Sequence, residues 1–284
     1  MFRLLFRWLP KSALTRLAGW LASWRRPRLL ISAGIRLYRW HYRIDMGDFA
    51  EPEGGFATFN EFFARPLKPG RRPVDAAADG IVSPVDGGIG MAGTVVADRA
   101  IQAKGLDYSL EALLGGDPGW AAYDGGAYLT LYLSPRDYHR IHSPVAGAVT
   151  RYRYLPGESW PVNAPAVRSV PRLYTRNERL VTYLSGPFGE MALVAVGAMI
   201  VGRIRVVYDA GIGAAHESSG QQVKLPQPFP LAKGAELGRF ELGSSVILLF
   251  RRGEANLLDL PPGGTVRMGE AIGSLNRGIG TAPE

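Results

Sequence analysis

Four residues of this chain carry side chains suited to acid–base and nucleophilic chemistry: Asp86, His139, His142 and Ser244. A serine hydroxyl is a poor nucleophile at neutral pH. It needs a base within hydrogen-bond reach, and that base is helped by a third group that orients it. Asp, His and Ser occur here in the order Asp86, His142, Ser244, and several chain orders build the same geometry. Asp86 lies in Ser83-Pro84-Val85-Asp86-Gly87, and both histidines lie in Ser134-Pro135-Arg136-Asp137-Tyr138-His139-Arg140-Ile141-His142. Histidines three apart are neighbours on a helix but face opposite sides in a strand.

Each residue also has a plainer reading. An aspartate before glycine is commonly a turn residue, and a histidine among Arg and Tyr is more often structural than a base. Ser244 lies in Leu242-Gly243-Ser244-Ser245, just before the apolar block Val246-Ile247-Leu248-Leu249-Phe250. That block has the length of a buried strand. Taken alone, the stretch reads as a Gly-Ser bulge entering a core strand. The sharper alternative is a reacting Gly243–Ser244 peptide bond. The G-x-S-x-G elbow of α/β-hydrolases is absent, because Leu242 stands two residues before Ser244.

Composition removes several other chemistries. With 284 residues and 46% hydrophobic content, the chain can form one large domain or two small ones. It contains no cysteine, which excludes disulfides, thiolate metal sites and a cysteine nucleophile. The four histidines are His41, His139, His142 and His216. His216-Glu217 lacks the second histidine of a helical zinc motif, so no metal is expected.

The net charge of +8 belongs to one end. Ten of the 33 basic residues, and none of the 25 acidic ones, fall in residues 1–43. Phe2, Leu5, Phe6 and Leu9 can share a helix face, as can Leu14, Leu17, Trp20, Leu21 and Trp24, and Pro27 separates a third piece. Tryptophan and arginine on short amphipathic helices suit an anionic membrane surface. Three other readings stay open: a mitochondrial transit peptide, a nucleic-acid contact without a known reading motif, or packing on the body. No stretch reaches the roughly 18 uncharged apolar residues of a spanning helix. Residues 1–58 are therefore expected to be basic membrane-binding helices and a linker, and residues 59–284 the catalytic domain.

The elements that must position the four residues follow from local signals. Thr58 and Glu61 fit a capping box on a short helix, which should stop near Ala64 ahead of Pro66. From about residue 79, short β-type runs alternate with glycine. The candidates are 81–82, 90–96, 127–133, 148–154, 180–184, 191–196, 204–208, 246–250 and 265–268. The expected class is α+β, with an amphipathic helical N-terminus before a mostly antiparallel β barrel or sandwich-like body. Ser83-Pro84-Val85-Asp86-Gly87 also resembles Ser143-Pro144-Val145-Ala146-Gly147, a weak sign of a duplicated half.

The blocks together resemble the phosphatidylserine decarboxylases of the bacterial and mitochondrial, membrane-associated type. The likeness runs from about Phe59 to Ile272. It includes Phe59-Asn60-Glu61-Phe62-Phe63-Ala64-Arg65-Pro66-Leu67-Lys68-Pro69, both regions around Asp86 and the histidines, Thr175-Arg176-Asn177-Glu178-Arg179, and Lys233-Gly234-Ala235-Glu236-Leu237-Gly238-Arg239-Phe240.

The resemblance implies a self-cleaving proenzyme. Ser244 would attack the Gly243 carbonyl, leaving a β chain 1–243 and an α chain 244–284 that begins with a pyruvoyl group made from Ser244. It implies His142 as the base for Ser244, Asp86 as its orienting carboxylate, and His139 as a residue of the decarboxylation step. Phosphatidylserine would condense with the pyruvoyl ketone as a Schiff base, lose carbon dioxide and leave as phosphatidylethanolamine. The implied setting is peripheral, on the cytoplasmic face of a bacterial membrane, with no nucleic acid involved; a homodimer is left open. One departure is Ser245, where the family's commonest tetrad has threonine. The rival readings are a serine hydrolase using the same Asp86, His142 and Ser244 on an external substrate, and a non-enzymatic membrane-binding protein.

Overall fold

The computed structural model describes residues 11–199, 204–212, 220–241 and 244–276, with residues 11–16 described by their backbone alone. The expected apolar face at Phe2, Leu5, Phe6 and Leu9 lies outside the described residues, as do Gly243 and His216.

Two helices open the described chain, α1 (Lys11–Ala22) and α2 (Arg28–Tyr42), broken at Pro27 as expected. Helix α2 buries Ile35 and leaves Leu29, Leu37 and Trp40 exposed. Helix α3 (Phe59–Phe63) begins at the expected cap: Thr58 Oγ1 accepts from the Glu61 amide at 3.0 Å. Glu61 Oε2 reaches back to the Ala57 amide at 2.9 Å, one residue earlier than a standard capping box. The helix ends at Phe63, ahead of Pro66. Phe62 on α3 packs with Ile35, Ile44 and Phe56, so the N-terminal helices are fastened to the body by a small apolar cluster.

The described residues form sixteen strands. They are β1 (Gly80–Val82), β2 (Gly87–Thr94), β3 (Arg99–Ala103), β4 (Leu106–Ser109), β5 (Ala127–Leu133), β6 (Arg140–His142), β7 (Gly147–Leu155) and β8 (Arg179–Gly186). They continue with β9 (Gly189–Gly197), β10 (Ile204–Val206), β11 (Gln222–Leu231), β12 (Glu236–Phe240), β13 (Ser244–Phe250), β14 (Ala255–Leu257), β15 (Thr265–Val266) and β16 (Ala271–Leu275). Eight make one antiparallel sheet in the order β11-β7-β8-β9-β13-β5-β2-β15. Smaller sheets are β1-β16-β14, β10-β12-β6 and β3-β4.

The α+β class and the mostly antiparallel body are thus as expected. The large sheet is open, because its end strands β11 and β15 do not pair with each other. Strand β11 carries Pro226, Pro228 and Pro230, which hide it from a sequence reading. It runs at the sheet edge, where a missing N–H donor is tolerated.

Strand β13 lies inside the sheet, paired on both sides, with all seven residues buried. Side chains alternate between faces. Val246, Leu248 and Phe250 join Leu131, Leu133, Leu193 and Leu180 in one core. Ile247 and Leu249 join Val194, Val181 and Tyr183 in the other. The sheet therefore has apolar cover on both faces, which is why β13 reads as a continuous apolar run.

Candidate active site

The two similar five-residue turns meet each other. Ser83 Oγ donates to the Val85 carbonyl and Ser143 Oγ to the Val145 carbonyl, each at 2.7 Å. The Val82 amide donates to Pro144 O at 2.9 Å, and the His142 amide to Pro84 O at 2.8 Å. This reciprocal pairing brings the Asp86 turn alongside His142. Gly87 has to be glycine, since an added Cβ would lie 2.7 Å from Tyr132 O.

Asp86 and His142 are not joined directly. The Asp86 carboxylate accepts from Arg72 Nε at 3.0 Å, from Arg72 Nη2 at 2.6 Å and from the Met268 amide at 2.8 Å. Arg72 also donates to Asp48 at 2.7 Å. His142 Nδ1 lies 2.7 Å from Gly234 O, and a carbonyl only accepts, so Nδ1 carries the proton. His142 Nε2 is then the acceptor for the Tyr138 hydroxyl at 2.9 Å. Burial holds the His142 imidazole below its usual pKa, opposed by the Gly234 hydrogen bond.

His139 precedes β6 rather than sharing an element with His142. It is fully buried, and its ring stacks on Phe63 of α3, centroids 4.0 Å apart. Nε2 donates to Ser134 O at 3.0 Å, so Nδ1 holds the bare lone pair, and none of the described residues bonds to it. Burial pushes the His139 pKa down to about 3, with the Arg65 charge adding to the effect. Both imidazoles are therefore uncharged at neutral pH.

Arg65 holds the loop that carries His139. It is fully buried, and its Nη2 donates to Arg136 O at 2.9 Å and Asp137 O at 3.3 Å. Its Nη1 reaches Phe62 O at 3.4 Å, and its guanidinium stands 4.0 Å from the centre of the Phe49 ring. Helix α3 and the 134–139 loop are thus tied by one cation shared among backbone carbonyls.

Ser244 is the first residue of β13, opposite Leu133 of β5 and Gly197 of β9. Directly opposed residues share a face, so Ser244 points toward the core that holds Leu133, Ile141 and Phe240. Its hydroxyl is buried and, among the described residues, has no hydrogen-bond partner. His139 is tied to Ser134, the residue after Leu133, so it reaches the same end of β5 that faces Ser244. Buried polar atoms are nearly always paired. Among the described residues, Ser244 Oγ and His139 Nδ1 are both unpaired at one end of the sheet. A hydroxyl and an imidazole lone pair, both free and water-excluded, are the two parts a serine nucleophile needs.

The family model described as phosphatidylserine decarboxylase matches residues 59–274, which contain all four candidate residues. The chain belongs to the phosphatidylserine decarboxylase family. It is 48% identical over 274 residues to the phosphatidylserine decarboxylase proenzyme of Anaeromyxobacter sp. (strain K), covering 94% of this chain and 95% of that one. It is 43% identical to the proenzyme of Myxococcus xanthus (strain DK1622), covering 96% and 97%. With that of Yersinia enterocolitica serotype O:8 / biotype 1B it shares 42%, covering 93% and 92%.

Within this family member, the sequence reading missed Arg65, Arg72 and Tyr138. Arg65 and Tyr138 stand inside blocks already singled out, but no spacing rule marks a buried arginine or a tyrosine bonded to histidine. Among the described residues no group of His, Cys, Asp and Glu could hold a metal.

The His139 shift sets a pH dependence of stability. Its folded pKa lies below the unfolded value, so the unfolded chain binds the extra proton between them. The contribution is fully present above about pH 6.5 and is lost as the pH falls toward about 3. In urea unfolding at pH 7 and pH 4.5, we expect His139→Gln to lose less stability on acidification than the parent chain. Equal losses in both would contradict the burial account of His139.

Proposed function

We infer that the chain is a phosphatidylserine decarboxylase proenzyme, a carboxy-lyase that forms phosphatidylethanolamine and carbon dioxide after cutting itself between Gly243 and Ser244. The observation that carries this reading is the buried, unpartnered Ser244 hydroxyl at the start of β13, in a chain matched to the family over residues 59–274. A simple bulge gives no reason for that hydroxyl to stay unpaired. A nucleophile that is consumed does.

In the cut, Ser244 Oγ bonds to the Gly243 carbonyl carbon, and the peptide C–N bond breaks. The resulting ester eliminates the Gly243 carboxylate. Water then replaces the freed nitrogen, which leaves as ammonia, so residue 244 ends as a pyruvoyl group. The products are the β chain 1–243 and the α chain 244–284. The residues around Ser244 fit such a group: its position is enclosed, lies between β5 and β9, and has the His139 loop beside it. When present, the group supplies a ketone that draws electrons from the substrate as carbon dioxide departs.

The chain's own residues have these roles. His142 takes the Ser244 proton, and Asp86 steadies the resulting positive charge from the neighbouring turn, in place rather than by a direct hydrogen bond. His139 handles the proton that replaces carbon dioxide. A second reading has its own observation: the His139 Nδ1 lone pair is free, while that of His142 is engaged by Tyr138. In that reading His139 serves Ser244 first and the substrate afterwards.

The lipid would approach through the N-terminal helices. An apolar cavity of about 560 Å³ is lined by Trp24, Leu30, Ile31, Tyr38, Phe59 and Phe63, and Phe63 is the ring stacked on His139. Leu29, Leu37 and Trp40 stay exposed among arginines, which suits a peripheral position on an anionic membrane surface, the cytoplasmic face in a bacterium. Among the described residues no helix is long and apolar enough to cross a membrane.

On denaturing electrophoresis we expect parent protein in two pieces and Ser244→Ala in one; cutting that persists in Ser244→Ala would end the reading. His142→Ala should stay whole, and His139→Ala should be cut but release no carbon dioxide. The reverse pattern would make His139 the base. Replacing Leu29 and Trp40 together by serine should weaken binding to anionic vesicles, read by sedimentation, by on the order of a hundred-fold or more, given ~1.5–3 kcal/mol per large apolar side chain. Unchanged sedimentation would place the membrane contact elsewhere.

A further inference from the structure

Glu178 occupies a place on the sheet that the four candidate residues leave unexplained. It directly precedes β8, and its carbonyl accepts from the Gly197 amide at 2.8 Å, extending the β8–β9 ladder by one residue. Gly197 in turn lies directly opposite Ser244. Opposed residues share a face, so Glu178, Gly197, Ser244 and Leu133 form one row across four strands. The Cβ that Gly197 lacks would stand 3.8 Å from Glu178 Cβ, which puts the Glu178 side chain on this face. Two strand spacings, about 10 Å, separate Glu178 from Ser244. Glycine between them leaves that interval without a side chain.

Among the described residues the carboxyl has no cationic partner. Among the described residues the one side chain that hydrogen-bonds it is Tyr154, and no Lys, Arg or His offsets its charge. Burial pushes its pKa above the usual glutamate range, and the Tyr154 hydroxyl opposes that shift only in part. Glu178 is half-buried, and with no cation beside it among the described residues its carboxylate is open to meeting a cationic group. On the other side of Ser244, the His139 loop offers an imidazole, while its acid Asp137 accepts from the Ser134 amide at 2.7 Å.

We propose that Glu178 is a catalytic residue that binds the ammonium of the serine head group and takes one proton from it. This inference rests on the decarboxylase reading above. At neutral pH the head-group nitrogen is protonated and has no lone pair to react with. In the transfer, one N–H bond of the ammonium breaks and one O–H bond forms on the Glu178 carboxylate. The products are a neutral amine, now a nucleophile beside residue 244, and a neutral carboxylic acid. Charge balances, because the cation and anion that met are both neutralised. The raised pKa makes Glu178 a better base than an exposed glutamate, and Gly197 leaves room for the small head group between the two residues.

The test uses the cut, two-chain enzyme made unreactive by borohydride, so that binding is read without turnover. Calorimetry would compare short-chain phosphatidylserine with its N-acetylated analogue, which lacks the ammonium. The parent enzyme should prefer the ammonium form by at least about ten-fold, and Glu178→Gln should lose that preference. In unreduced enzyme, Glu178→Gln should be cut normally by intact mass yet decarboxylate about 10²-fold more slowly or worse. Parent enzyme that binds both lipids equally overturns the proposal, even if the variant fails to fold. So does a cut Glu178→Gln enzyme with parental binding and turnover. Parent protein that is never cut would instead sink the decarboxylase reading itself, so the two failures are distinct.

Discussion

The structure depends on β13 being paired on both sides and buried on both faces. Each neighbour fixes its register, β5 through Leu133 and β9 through Gly197, so Ser244 has one position and one face. Burying a hydroxyl without a partner costs about 1–3 kcal/mol. The apolar residues that follow it, Val246 to Phe250, all lie in the two cores and hold the strand in place despite that cost. Among the described residues, none bonds the hydroxyl.

Two further devices position the aspartate and the two histidines. The reciprocal pairing of the Ser83 and Ser143 turns sets Asp86 and His142 on adjacent ridges. Arg65 fastens the His139 loop to α3, whose Phe63 both stacks on His139 and lines the apolar cavity under the N-terminal helices. A single short helix thus joins the N-terminal helices to the His139 loop. Ser245, which departs from the family's usual threonine, faces the opposite side of the sheet toward Tyr174. Its hydroxyl therefore does not lie on the face of Ser244.

Much of this was legible in the sequence. The Thr58 cap, the stop before Pro66, the 127–133 and 246–250 strands and the echo of the two turns all follow from local rules. So does the asymmetry that places the basic charge on the N-terminal helices. What was not legible depends on long-range pairing. Strand β11 was hidden by its prolines, and β6 and β12 are too short to show a period. The family resemblance implied Asp86 as the carboxylate orienting His142; the side-chain partners lie elsewhere, Arg72 on Asp86 and Tyr138 and Gly234 on His142. Residue types announce which chemistry is available; only the register shows which lone pair is free. Glu178 illustrates the same point, since nothing in Asn177-Glu178-Arg179 reveals that Gly197 leaves it open toward Ser244.

The central claim is that Ser244 is consumed to make the reactive group. The most direct measurement is the intact mass of the C-terminal piece released from the parent protein. The account predicts a fragment covering 244–284 that is lighter, by one ammonia and nothing else, than the same fragment beginning with serine. A fragment that retains serine at its N-terminus, or an uncut chain that still decarboxylates the lipid, would contradict it.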